Sequence, residues 1–317
     1  MLVNFLALAL GLLLVAKGGD FFVDSSVQIA RAFGIPRLVI GGTLVSLATT
    51  LPEFTVSTLA SFMGDSGIAL GNAVGSVICN IGLVAGIAAC LREVRVDLPE
   101  FRSRSLWMIA SALVVILFSW DLYLSRLQAS LLLFLSVLYL LADYWNHKKR
   151  RGRQEIGARP DDVSGMPLKR AYLLFSAGAL MVITGSRFLV QSGSAVAAAL
   201  GVPSVVIGLT VIAVGTSLPE LITAVVSVRK GVSDLSIGNI IGANILNLSM
   251  ITGTAALIHP LTLTRGTQAY SFSWMIVFIF GMVAMMGKNG IIDRREGSLF
   301  LGLYFFYVLG LFFLRAG

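Results

Sequence analysis

Two glutamates stand where glutamates are costly. Glu53 follows Ala48-Thr49-Thr50-Leu51-Pro52, Glu220 follows Gly215-Thr216-Ser217-Leu218-Pro219, and both lie inside apolar runs that read as membrane spans. An ionisable group at membrane depth marks a functional site by default. The proline before each glutamate cannot bond the carbonyl four residues back, so the helix loosens there. Broken helix is tolerated in a bilayer where it is buried in protein or lines a cavity. Spacings of three and four residues put Thr49 and Thr50 on the helix face of Glu53, and Thr216 and Ser217 repeat this for Glu220. Carboxylates, hydroxyls and freed carbonyls near Ser46, Thr49, Ala213 and Thr216 make an oxygen-rich site that suits hard cations. Calcium takes about six to eight oxygens, more than these side chains supply, so backbone carbonyls and water are expected to complete its shell.

The elements that position these groups come as a repeat. Residues 34–86 lie over 201–253 without a gap, and Pro36, Pro52, Glu53, Asn72 and Asn80 find Pro203, Pro219, Glu220, Asn239 and Asn247. Apolar runs of spanning length fall near 1–16, 36–62, 69–91, 105–120, 127–145, 171–190, 203–228, 235–258, 270–286 and 298–314. Five runs per half is an odd number, so the second half enters from the opposite side. The expected fold is an all-α polytopic membrane protein of ten transmembrane helices, built as two inverted-topology five-helix repeats with a site near the midplane. On the third run Ser76 and Asn80 share a face, and on the eighth the same places hold Ala243 and Asn247. Gly71, Gly75, Gly238 and Gly242 are small-xxx-small pairs that let helices approach closely. Asn72 and Asn239 read as capping or packing groups.

Composition agrees with this class. The chain has 317 residues, 56% hydrophobic and 13% charged, with a mean hydropathy of +0.88, too apolar for a soluble domain. Its net charge of +8 does not point to nucleic acid, because the basic residues sit between apolar runs. The halves are 1–146 and 171–317, joined by a basic linker, 147–170, that holds His147 to Arg153. By the positive-inside rule the linker and the segments with Arg31, Arg37, Arg92, Arg95, Arg102, Arg104, Arg229 and Lys230 face the cytoplasm, and both termini lie outside. The N-terminus lacks the basic region of a cleaved signal and reads as a retained span. Cys79 and Cys90 fall in one expected helix, too far apart to bridge. Asp20 and Asp24 read as interfacial, and His147 and His259 offer no metal site. No His-Glu-x-x-His or paired intramembrane aspartates suggest an enzyme, and no cofactor or obligate protein partner is called for beyond the lipid bilayer.

The sequence resembles the calcium/cation antiporter superfamily, and most closely its prokaryotic sodium/calcium exchangers. The resemblance rests on the repeats 41–86 and 208–253, with Thr-Thr-Leu-Pro-Glu and Gly-Thr-Ser-Leu-Pro-Glu, each followed by Gly-Asn-x-x-Gly and then Asn80 or Asn247. It implies sodium/calcium antiport across the cytoplasmic membrane by alternating access, with the first and sixth spans sliding as a pair. Glu53 and Glu220 would hold calcium with backbone oxygens of Thr49 and Thr216. Sodium positions would use the two glutamates with Ser46, Thr50 and Ser76 on one side, and Ala213 and Ser217 on the other. Asn80 and Asn247 would line the middle. Two departures stand out. Ala243 removes a hydroxyl that many relatives have, which leaves proton-driven calcium or cation antiport on the same glutamates as the alternative. Asn247 stands where some relatives carry aspartate, which argues against potassium co-transport.

Overall fold

In lipid every backbone polar group must find its partner within the protein, so long apolar runs fold as helices. The computed structural model describes residues 2–35, 37–154, 166–199 and 213–314. Helices α1 (Leu2–Ala32), α2 (residues 37–49), α3 (Leu51–Phe62), α4 (Ser66–Leu91), α5 (Leu98–Phe118) and α6 (Arg126–Gln154) make the first half. Helices α7 (Leu168–Ala199), α8 (Ala213–Thr216), α9 (Leu218–Arg229), α10 (Ser233–Ile258), α11 (residues 265–289) and α12 (Arg294–Leu314) make the second. Among the described residues, seven helices are long and apolar enough to cross a membrane. The chain is a mostly helical, multi-pass membrane protein. The counterparts in the second half of residues 34–45, which are 201–212, lie outside the described residues.

Two helices form the centre. In α4 and α10, 72% and 83% of the most apolar stretch is buried, against 28% to 39% in the other five spans. The crossing of α2 with α10 is tight: a Cβ on Gly41 would strike the Leu235 carbonyl, and one on Gly242 would strike the backbone of Gly42. Gly242 thus has the close-approach role expected of it. At Gly71 and Gly75 no described atom lies within 4 Å of such a Cβ.

Helices α1 and α7 pack against each other along their length. Glycines face each other across the seam, with Gly18 against Gly178 and Gly185 against the Gly11 carbonyl, and the Phe22 and Phe175 rings meet tilted by 37° with centroids 4.7 Å apart. The first helix runs well past the apolar stretch 1–16, carrying Asp20 and Asp24 with it. Both pair with Lys230 beyond α9, at 3.1 and 2.8 Å.

Arg104 departs from the sequence expectation. Counted there with the cytoplasmic segments, it lies inside α5 with its side chain 2% exposed. Its guanidinium has found Asp143 of α6 at 2.6 Å, and a paired charge can be buried where a lone one cannot.

Short strands tie the halves together. β1 (Val94–Arg95), after α4, pairs antiparallel with β4 (Ile291–Ile292), before α12. β2 (Tyr123–Leu124), before α6, pairs with β3 (Leu261–Thr262), after α10.

Candidate cation site

The site is built at two helix breaks. Thr50 (φ −81°, ψ 3°) interrupts α2 and α3, and Ser217 (φ −87°, ψ 8°) interrupts α8 and α9. Pro52 and Pro219 then sit in the first turn of the new helix, where a missing N–H costs nothing. Glu53 and Glu220 therefore also lie in a first turn, where the positive end of the helix dipole favours a negative charge. Both are wholly buried, and the two carboxylates are within electrostatic reach of each other.

Hydroxyls gather at the breaks. Ser217 Oγ donates to Glu53 Oε1 at 3.3 Å and lies 3.5 Å from Ser76 Oγ, so three residues from both halves meet there. Ser46, Thr49 and Thr50 line the first break. The Ser46 carbonyl accepts from the Thr50 N–H at 3.0 Å and from Thr50 Oγ1 at 2.8 Å, and Thr49 Oγ1 also reaches it at 3.4 Å. A cation taking that carbonyl has to turn the Thr50 hydroxyl aside. Ala213 and Thr216 open and close the short helix α8 before the second break.

The unpartnered atoms carry the chemistry. Among the described residues, Glu53 Oε2, both carboxylate oxygens of Glu220, Asn80 Oδ1 and Asn247 Oδ1 are buried without a hydrogen-bond partner. Each such orphan costs about 1–3 kcal/mol, more when charged. All five are acceptors, so what they lack is positive charge or protons. Asn80 and Asn247 hold their oxygens in place through their amides. Asn80 Nδ2 donates to Asn244 Oδ1 at 3.1 Å, and Asn247 Nδ2 to the Ala243 carbonyl at 2.9 Å. Each asparagine also opens a π turn, at Asn80–Ala85 and Asn247–Ile251, a distortion frequent at functional sites. Among the described residues no group of three or more His, Cys, Asp and Glu could hold a metal. Two carboxylates with neutral oxygens suit an ion that must leave again.

Sequence reading missed how Asn72 and Asn239 are used. Thr49 Oγ1 donates to Asn239 Oδ1 at 3.0 Å, and Thr216 Oγ1 to Asn72 Oδ1 at 3.3 Å, so each break is tied to the opposite half. Asn72 Nδ2 also donates to the Glu53 carbonyl at 3.1 Å and to Ser57 Oγ at 3.0 Å, whereas Asn239 Nδ2 has no partner among the described residues. Their recurrence beside Gly71 and Gly238 was the available signal. Asn72→Ala is expected to cost about 2 kcal/mol and Asn239→Ala about half that, because Asn239 makes fewer bonds. Denaturant melts in detergent read both, and equal losses would show that the difference in hydrogen bonding has no energetic content.

Known proteins resemble this chain over nearly its whole length. A family model described as sodium/calcium exchanger protein matches residues 3–145 and 170–313. The inner membrane protein YrbG of Escherichia coli K12 is 35% identical over 97% of this chain and 96% of its own length. The sodium/calcium exchanger MaX1 of Methanosarcina acetivorans is 31% identical over 98% of this chain and 99% of its own. A solved structure of the sodium-calcium exchanger NCX_Mj, soaked with sodium and strontium, superposes with a TM-score of 0.82 at 29% identity, covering 97% and 98% of the two chains.

Proposed function

Because the chain belongs to the sodium/calcium exchanger protein family and is thereby a cation/calcium antiporter rather than an enzyme, we propose that it exchanges sodium for calcium at the Glu53–Glu220 site. The observation that carries this is the set of five orphaned acceptor oxygens between two broken helices. Glu53 and Glu220 hold calcium together with backbone oxygens of Thr49 and Thr216. Sodium shares the carboxylates, with Ser46, Thr50 and Ser76 on one side and Ala213 and Ser217 on the other, while Asn80 and Asn247 line the middle. Since both ions need the same carboxylates, one excludes the other, and exchange follows from alternating access.

The fold proposed for this exchange is ten spans in two inverted repeats, 1–146 and 171–317, with the basic linker cytoplasmic and both termini outside a cytoplasmic membrane. The strand pairs support the inversion, since β1 and β3 hold equivalent places after α4 and α10 and each pairs with a strand of the other half. The glycine seam between α1 and α7 supports their movement as one body.

One observation favours proton coupling instead. Ala243, wholly buried beside Asn247, supplies no hydroxyl, and a sodium position is poorer by one ligand. Liposomes loaded with sodium and diluted into sodium-free medium should take up radiolabelled calcium, whereas a pH gradient without sodium should not drive uptake. Uptake driven only by the pH gradient would replace sodium with protons in this scheme.

A further inference from the structure

Outside the cation site, the costliest buried group is the cluster of Arg104, Tyr139 and Asp143. Arg104 Nη2 donates to Asp143 Oδ2 at 2.7 Å, and Nη1 donates to Tyr139 Oη at 3.1 Å. Tyr139 Oη donates in turn to the Gly42 carbonyl at 2.8 Å. Removing both ions from water is costly, and well-packed apolar residues in place of a buried pair are often no less stable. Stability alone therefore does not account for a charged pair within the spans.

Its contact with α2 does. Gly42 lies in a π turn, Gly41–Val45, where Ser46 N–H reaches the carbonyls of Gly41 and Thr43. The Gly42 carbonyl is held by the tyrosine, and the guanidinium lies so close that a Cβ on Gly42 would strike it. Because the tyrosine oxygen accepts from a cation, its own proton must point at Gly42, and a donor polarised in this way bonds strongly. One turn beyond Gly42 stands Ser46, and the next turn carries Thr49 and Thr50.

We propose that Arg104, Tyr139 and Asp143 are positioning residues for cation binding: they pin the π turn at Gly42 and so set where the oxygens of Ser46 and Thr49 stand. The inference rests on those oxygens being cation ligands. It assigns α5 and α6, which supply no ligand themselves, a share in the affinity of the site.

The test is Tyr139→Phe, which keeps the ring and removes one hydroxyl, with Arg104→Lys as a second variant that retains the charge but not the fork reaching both partners. Calcium binding to the purified full-length protein is read by calorimetric titration, and half-saturating calcium is read in the liposome assay. Both variants should bind calcium about fivefold more weakly, the effect of one hydrogen bond, with maximal exchange rates near wild type. Wild-type calcium affinity in both variants, whatever their melting temperatures, overturns the proposal and leaves the cluster a packing feature. A wild type that binds calcium but exchanges it without sodium defeats the sodium reading, while the calorimetric comparison still decides the role of the cluster.

Discussion

Glu53→Gln and Glu220→Gln should each abolish calcium exchange, by about a hundredfold or more. That floor follows from groups that merely orient metal ligands, whose loss already costs about 10- to 100-fold. The amide keeps the volume and one carbonyl oxygen, so the loss tests charge rather than shape. A second readout separates binding from folding. Calcium at about a hundred times its Kd should stabilise the wild-type protein by about 2.7 kcal/mol, and this gain should vanish in both variants. Without calcium the variants should melt no lower than wild type, since each replaces one of two wholly buried carboxyl groups with a neutral amide of similar volume. Exchange at wild-type rate in either variant would move the site elsewhere.

Gly242→Val should cost about 3 kcal/mol or more and deplete folded protein. A Cβ there falls on the carbonyl oxygen, Cα and carbonyl carbon of Gly42. All three are backbone atoms, so nothing can rotate aside, and α10 would have to leave α2 along the central crossing. Overpacking in a rigid interior typically costs about 1–3 kcal/mol, and the rigid neighbour puts this case at the upper end. Gly302→Val in α12 is the control, because no described atom lies within 4 Å of a Cβ there, and its effect should stay within about 0.5 kcal/mol. If both variants gave wild-type yield and melting, the two helices would not be locked at this crossing.

Much of this could be read before the structure. The glutamates, the prolines and their recurrence locate both helix breaks, because these signals are local and lipid leaves few alternatives. What escaped reading depends on partners far away in sequence. Charge counting assigns Arg104 to the cytoplasmic face because it assumes that a basic residue is solvated, and the partner that lets Arg104 be buried, Asp143, stands on another helix. Asp20 and Asp24 read as interfacial, but their shared partner Lys230, far away in sequence, could not be read beforehand. Asn72 and Asn239 could be matched to each other but not to the threonines they bind, since equivalence in a repeat does not say which half supplies the partner. The π turns and two-residue strands leave no periodic pattern to find.

The strand pairs bear on descent. Val94 meets Ile292 and Arg95 meets Ile291, while Leu124 meets Leu261 and Tyr123 meets Thr262. Val94 and Leu261 hold equivalent places in the two halves, and so do Leu124 and Ile292. Both clasps are therefore the same clasp, closed twice. One half by itself would leave two strand edges open, and open edges invite pairing with another chain. A second copy of that half, turned over, offers both missing partners in register, as an isologous contact requires. With the halves inverted as proposed above, two copies of one half would close both clasps on each other as an antiparallel dimer, and a fused gene would keep that closure within one chain.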